Sequence, residues 1–356
     1  MFLKLYKVLS LFLLYNLAVI SCYSQSNELN SLNTSIFNFQ ETYTINDGVH
    51  KSVVLGDISD GVLGANAQAF LLDRSASKVY QLDDEGKLIQ EYGREGRGPG
   101  EFLEGFSIGL NDTENELFVL DYRNARVVSY NTNDGSYKSA INLNSTYVTR
   151  LNQLDVFENE LLLLGFHQNK NTLVHVLDPD GSTVKSFGAL IDFDNIIHTN
   201  MGKIQLSQVH TSSLNGNLLV GLAAPHRTTL YNREFEPINT LEDDLLPVPW
   251  ETHMTMTPET YKVDYYPMAI ENQLLSDEHY LLVWVNFESD KNNETISEYF
   301  LELRELHTGG LLHRVSLQER KVLEIKRINN QLAYLLIRTR DYQYKVVKLE
   351  INLDGF

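Results

Sequence analysis

One cysteine in 356 residues, Cys22, leaves no disulfide possible within the chain. Stability must then come from buried apolar area, and a folded body of about 330 residues is ample for that. Cations are scarce as well: 29 Lys and Arg face 47 Asp and Glu, for a formal net charge of −18. Such a surface repels phosphate backbones, which excludes nucleic acid as a partner, and it repels anionic lipid headgroups too. Any membrane attachment is therefore expected to be covalent. No segment carries sustained helical periodicity with caps, so helix should be a minor component. Gly-x-Ser-x-Gly, the P-loop and the Rossmann glycine pattern are all missing, and with them the commonest nucleophile and phosphate chemistries. A cysteine nucleophile is excluded because the sole Cys lies at the boundary of the leader.

Apolar runs long enough to cross a bilayer are lacking too. Lys4 and Lys7 precede an apolar stretch from Val8 to Ile20, which is short for a span and suits a secretory signal peptide. Val19-Ile20-Ser21-Cys22 matches a lipobox, in which Cys22 becomes the acylated first residue; cleavage after Ser24 is the alternative. Loss of residues 1–21 removes Lys4 and Lys7 and no acid, taking the net charge from −18 to −20. An exported protein of the cell envelope, lipid-anchored or secreted, is expected. Residues 23–35 are polar and rich in Asn and Ser, and read as a flexible tether.

What the chain does have is aromatic and apolar strand-forming sequence, with 19 Tyr and 16 Phe. Ala69–Asp73, Leu117–Asp121, Leu161–Leu164, Leu218–Leu222, Tyr280–Trp284 and Leu332–Leu336 are short apolar runs. Each is followed by a second run, and in the early copies by an Asp/Asn-Gly turn and a third. Their first residues are 44 to 62 apart, the length of one four-stranded blade. Six copies predict an all-β chain, a six-bladed β-propeller forming one domain over 36–356. The sixth copy supplies three strands and then the chain ends. An N-terminal strand, placed at Lys51–Leu55, is expected to complete it and close the ring. The inner strands are expected to be apolar throughout, because each blade buries both faces on its neighbours.

Gly93-Arg94-Glu95-Gly96-Arg97-Gly98-Pro99-Gly100-Glu101-Phe102, followed by Asp121-Tyr122-Arg123-Asn124-Ala125-Arg126, resembles the repeat of NHL-type six-bladed propellers. It is especially similar to the exported bacterial "6-bladed beta-propeller" group. The resemblance covers roughly residues 69–143. It implies that the glycine-rich loop joins the outer strand of one blade to the inner strand of the next. It also implies that Asp121, Asn124 and Arg126 are structural, with Asp73, Ser77 and Lys78 as a looser copy one blade earlier.

Rim loops are where propellers bind, so Arg94, Arg97 and Glu101 on that loop are candidates for holding a ligand carboxylate. Two further inter-blade segments exceed what a tight ring needs. Ile191–Lys203 carries His198. The segment from Leu245 to Pro267 carries Trp250, His253 and Tyr261 among four prolines, the makings of a lid or pocket wall for a peptide or glycan. The ten histidines lack His-x-x-x-His or Glu-x-x-His spacing, although His198, His210, His226 and His253 could converge across blades. No cofactor and no metal site are expected. The functional expectation is a monomeric recognition module for a protein, peptide or glycan, more in keeping with binding than with catalysis. The alternative is a metal-dependent hydrolase or lyase. The gluconolactonase-like six-bladed enzymes hold a channel metal with Glu, Asn and Asp from inner strands.

Overall fold

The structure, a computed structural model, describes residues 29, 31–45, 55–143, 150–166, 172–178, 180–189, 209–223, 227–242, 254–256, 261–263, 268–289 and 295–354. Six four-stranded antiparallel sheets form a ring. From the axis outward, blade 1 is Ile58–Leu63, Ala69–Asp73, Lys78–Leu82 and Leu88–Tyr92. Blade 2 is Gly105–Leu110, Glu116–Asp121, Arg126–Asn131 and Tyr137–Asn142. Blade 3 is Arg150–Phe157, Glu160–Phe166, Thr172–Leu177 and Thr183–Ala189. Blade 4 is Val209–Leu214, Asn217–Leu222, Arg227–Tyr231 and Pro237–Glu242. Blade 5 is Met268–Leu274, His279–Ser289, Thr295–Glu305 and Leu311–Gln318. A short hairpin, Met254–Met256 with Tyr261–Val263, precedes it.

Blade 6 takes Lys321–Asn329, Leu332–Arg338 and Tyr344–Ile351 from the C-terminus and its outermost strand, Phe37–Ile45, from the N-terminus. Closure by a leading strand is thus present, but the strand lies upstream of the expected one. Leu55 is outside any strand, and Lys51–Val54 lie outside the described residues. Phe37 and Phe39 pack into the cluster between blades 5 and 6; a bulge between Glu41 and Tyr43 then switches the buried face, so Tyr43 and Ile45 pack into the cluster between blades 6 and 1. Register runs from Phe37 opposite Ile351 to Ile45 opposite Tyr344. The Tyr43 hydroxyl donates to the Ala67 carbonyl at 2.7 Å, linking the seal to blade 1. The expected tether is also shorter than 23–35. Leu29 and Leu32 are buried in the apolar cluster between blades 5 and 6, and the Asn33 side-chain oxygen accepts the Phe39 amide at 2.7 Å.

The apolar runs occupy the second strand of each blade, and alternation there explains the packing. Leu161 and Leu163 face blade 2 while Leu162 and Leu164 face blade 4. Leu281 and Val283 pack toward blade 6, Leu282 and Trp284 toward blade 4. Six apolar clusters fill the six blade-to-blade interfaces, so each second strand is buried on both faces. The innermost strands depart from expectation. They are not apolar throughout, because one edge of each faces the channel, where polar groups can be accommodated.

Candidate functional site

Two regions carry chemistry: the glycine-loop rim and the channel. Each innermost strand runs from the rim of inter-blade loops to the opposite rim of tight turns. On the loop rim, Asp121 is completely buried at the end of the second strand of blade 2. One of its carboxylate oxygens accepts the amides of Leu103 (3.2 Å), Glu104 (3.4 Å) and Asn124 (3.4 Å). The other accepts Asn124 Nδ2 (2.6 Å) and Arg126 Nε (3.2 Å). Arg126 turns its remaining donors onto the glycine loop, to the carbonyls of Arg97 (3.1 Å), Gly98 (3.3 Å) and Glu101 (2.7 Å), and Asn124 reaches the Gly96 carbonyl (3.2 Å). Asp121, Asn124 and Arg126 therefore clamp the loop.

The loop's glycines follow from the same closeness. Gly93 has φ +79°, and a Cβ there would sit 2.2 Å from the Phe102 ring, which is fully buried beneath the loop. Glu101 accepts the Gly98 amide at 2.7 Å and Arg94 Nε at 2.9 Å, and these bonds hold its carboxyl below the usual range. Glu101 and Arg94 thus satisfy each other. The Arg97 guanidinium is exposed, with no hydrogen bond or ion pair among the described residues, and the same holds for Arg123 on the adjoining turn. Next in sequence to Arg123, Tyr122, 47% exposed, packs tilted against Phe106 with ring centroids 5.7 Å apart. The blade 1 copy is looser, as expected. Asp73 accepts Gly56 and Ala76 amides and the Ser75 hydroxyl, but Lys78 pairs with Glu91 and holds no loop.

The remaining expected site residues are placed only in part. His198, Trp250 and His253, like Cys22 and His226, lie outside the described residues. Tyr261 begins the second strand of the short hairpin between blades 4 and 5. His210 lies on the innermost strand of blade 4 and is buried there.

The channel holds what the pattern of apolar runs did not reveal. A cavity of about 210 Å³ opens among the second halves of the innermost strands, toward the tight-turn rim and away from the glycine loop. Asp155, Glu271 and Glu324 line it, from blades 3, 5 and 6, and Asp60 of blade 1 lies beside it. A β-bulge immediately precedes Asp60, Glu271 and Glu324, and one stands three residues before Asp155, so irregular pairing turns each innermost strand near its acid. Two of the carboxyls are used between blades. Asp60 accepts the Ser107 hydroxyl (2.7 Å) and the Ile108 amide (2.9 Å) of blade 2, and the Ser107 oxygen in turn accepts the Leu154 amide (3.1 Å) of blade 3. Asp155 accepts the Val156 amide and the Thr211 hydroxyl of blade 4. Ser212 donates to the Asn272 side chain (3.0 Å) of blade 5 and accepts the Leu274 amide (3.0 Å). The result is a polar belt from blade 1 to blade 5 at the hub.

Glu271 and Glu324 stand outside that belt. Glu271 accepts only the neighbouring Asn272 amide (2.9 Å), and no hydrogen bond reaches Glu324 among the described residues. Burial pushes both carboxyls well above the usual range, and their neighbours' charges raise them further: Glu324 acts on Glu271, and Asp155 and Asp60 act on both. Asp155 is pushed up to about 6, chiefly by burial. Lys326 partly offsets Glu324 but is itself paired with Glu114 at 2.8 Å. Among the described residues no three His, Cys, Asp or Glu side chains approach closely enough to hold a metal ion.

Fold and hub together define the chain as a six-bladed β-propeller. A family described as 6-bladed beta-propeller matches residues 49–206, so the resemblance read from the repeat stands. No curated protein matches the chain. Among solved structures, a Bacteroides fragilis protein provisionally described as exported is similar at 11% identity, covering 89% of this chain and 96% of its own, with a TM-score of 0.54. A member of the duf4221 family from Bacteroides vulgatus is similar at 10% identity, covering 90% and 99%, with a TM-score of 0.55. Virginiamycin B lyase from Staphylococcus aureus, at 8% identity, 89% and 100% coverage and a TM-score of 0.44, is too distant to carry its activity over.

Proposed function

We propose that this chain is an exported binding propeller that recognises an acidic group of a protein, peptide or glycan on its glycine-loop rim. One observation carries the proposal: Arg97 and Arg123 present exposed guanidiniums with no hydrogen bond or ion pair among the described residues, on turns next to the exposed Tyr122, while Arg94, Glu101, Asn124 and Arg126 are consumed in holding the loop. In a protein of net charge −18, two free arginines next to an exposed aromatic ring form a local exception suited to a carboxylate. The leader with Cys22 supports export, and the Bacteroides fragilis neighbour described as exported is in keeping with it. A channel hydrolase or lyase is less favoured. Asp60 and Asp155 spend their oxygens on neighbouring blades, and no metal-holding trio forms among the described residues.

Peptide and glycan arrays probed with the wild type and with an Arg97→Ala, Arg123→Ala double variant test this. Acidic ligands should bind the wild type and weaken about 10- to 100-fold in the variant, the worth of a hydrogen bond to a charged group. Equal binding by both proteins, or a stoichiometric divalent metal accompanied by hydrolysis of an ester or lactone, would overturn it.

A further inference from the structure

We propose that the channel cavity is a second binding site, one for a small organic cation: a primary ammonium or guanidinium, presented as a free amine or as the tip of a basic side chain. The site lies at the opposite end of the hub from the glycine loop, so it stands or falls independently of the rim.

The argument starts from hydrogen bonds left unmade. Glu271 is 7% exposed, lines the cavity and uses one carboxylate oxygen for the Asn272 amide, leaving the other without a hydrogen bond among the described residues. Glu324, enclosed beside it, has no hydrogen bond at all among them. Carboxylates turned into a narrow cavity without donors are costly, and the Ser212–Asn272 belt that joins blades 4 and 5 uses neither glutamate. Two such groups on adjacent blades, aimed into one cavity, are complementary to a ligand with several N–H donors and a positive charge.

The size and spacing select the class. A cavity of about 210 Å³ exceeds the roughly 150 Å³ that admits a benzene-sized guest, so it takes a head group together with a short alkyl stem. Among the described residues no three carboxyl, imidazole or thiol groups converge as a metal site, whereas an ammonium or guanidinium can spread its donors over two carboxyls. Charge at the mouth is mixed. Lys326 is tied to Glu114 and Arg327 to the Leu275 carbonyl, so the cations already present are directed to the wall. Asp112 lines the entrance from blade 2, Thr211, Ser212 and Ser213 form the blade 4 wall, and Lys321 of blade 6 acts on Asp60; His210, buried on blade 4, is not part of the lining.

Protons are the competing occupants. With Glu271 and Glu324 raised well above the usual range and Asp155 at about 6, an incoming cation must displace protons, so binding should weaken as pH falls. Titration calorimetry on the purified protein at pH 8 uses agmatine, 1,4-diaminobutane and a short peptide with a terminal Lys-Arg pair. Tetramethylammonium, which lacks N–H donors, is the control. Binding of the free amines assigns a small-molecule ligand; binding of the peptide alone assigns a partner's basic side chain. Either should release protons, read as a heat that changes with the ionisation enthalpy of the buffer, and either should weaken about tenfold or more in Glu324→Gln. A wild type that binds none of these probes, or Glu324→Gln binding as tightly as the wild type, would overturn the proposal. The proton-release measurement needs only the wild type, so a poorly folding variant leaves a decisive result in hand.

Discussion

Two glutamates in adjacent blades, Glu302 fully buried and Glu324 half-buried at the channel, could hardly be treated more differently. Glu302, in the third strand of blade 5, is fully buried. It accepts the Trp284 indole N–H at 2.8 Å, Arg304 Nε at 2.5 Å, and Arg314, which also covers the Trp284 ring. Arg304 donates onward to the Gly309 carbonyl at 2.7 Å, tying the strand to its turn. Both oxygens are saturated by charge-assisted bonds. Glu324, on the innermost strand of blade 6, has neither a hydrogen bond nor an ion pair among the described residues, and three other acids stand nearby. The first is a buried charge whose surroundings are complete, the mark of a structural group. The second is a group whose surroundings are missing a partner, and that difference separates scaffold from site more reliably than residue type does.

The comparison breaks if removing the structural carboxylate costs little. Glu302→Leu leaves Arg304 buried without its anion and should destabilise by about 3–5 kcal/mol, read as a lower urea midpoint at unchanged slope. A change below 1 kcal/mol would mean that the pair contributes little beyond its own desolvation. Asp60 is the intermediate case, a hub acid whose oxygens are used. Asp60→Ala strips a partner from the Ser107 hydroxyl and the Ile108 amide and should cost about 1–3 kcal/mol. Native-state hydrogen exchange at Ile108 would then accelerate with that loss, and unchanged protection there would remove Asp60 from the inter-blade belt.

How much of this was legible follows from where each residue stands in a blade. Second strands are buried on both faces, so Leu161–Leu164 or Leu332–Leu336 announce themselves as continuous apolar runs, and six of them gave the ring. The glycine loop was legible because four glycines and a proline fit neither a helix nor a sheet interior, whereas Asp121, Asn124 and Arg126 were marked only by the resemblance to NHL-type repeats. The seal was legible in kind but misplaced. Phe37, Phe39, Tyr43 and Ile45 alternate with polar residues and mark the strand that does close the ring, ahead of Lys51–Leu55. The hub was missed because Ile58-Ser59-Asp60-Gly61-Val62-Leu63 and its counterparts are short, polar and bulged, so neither periodicity nor an apolar run marks them. A faint signal existed: Asp60, Asp155, Glu271 and Glu324 each stand a few residues ahead of an apolar run. Reading it requires knowing that the strand before each run lines a common axis.

The smallest expected effect is the sharpest test of the contrast, because its sign is opposite. Glu324→Gln removes a charge that the hub does not satisfy and keeps the side-chain shape, so with no ligand present it should stabilise the protein at pH 8 by on the order of 1 kcal/mol. The sign follows from linkage. Glu324 is raised above its unfolded value, so the folded state holds a proton that the unfolded chain releases first. Its contribution to stability is fully present below the unfolded carboxylate range and is lost as pH climbs through the raised value. Asp155, at about 6, falls in the same window, and Glu271 behaves alike. Wild type and Glu324→Gln should therefore have the same urea midpoint near pH 4 and diverge steadily above it, the variant being the more stable. Curves that stay parallel from pH 4 to 8 would mean that Glu324 is already satisfied at neutral pH. It would then be a scaffold residue like Glu302, and the hub would hold no vacancy for a cation to fill.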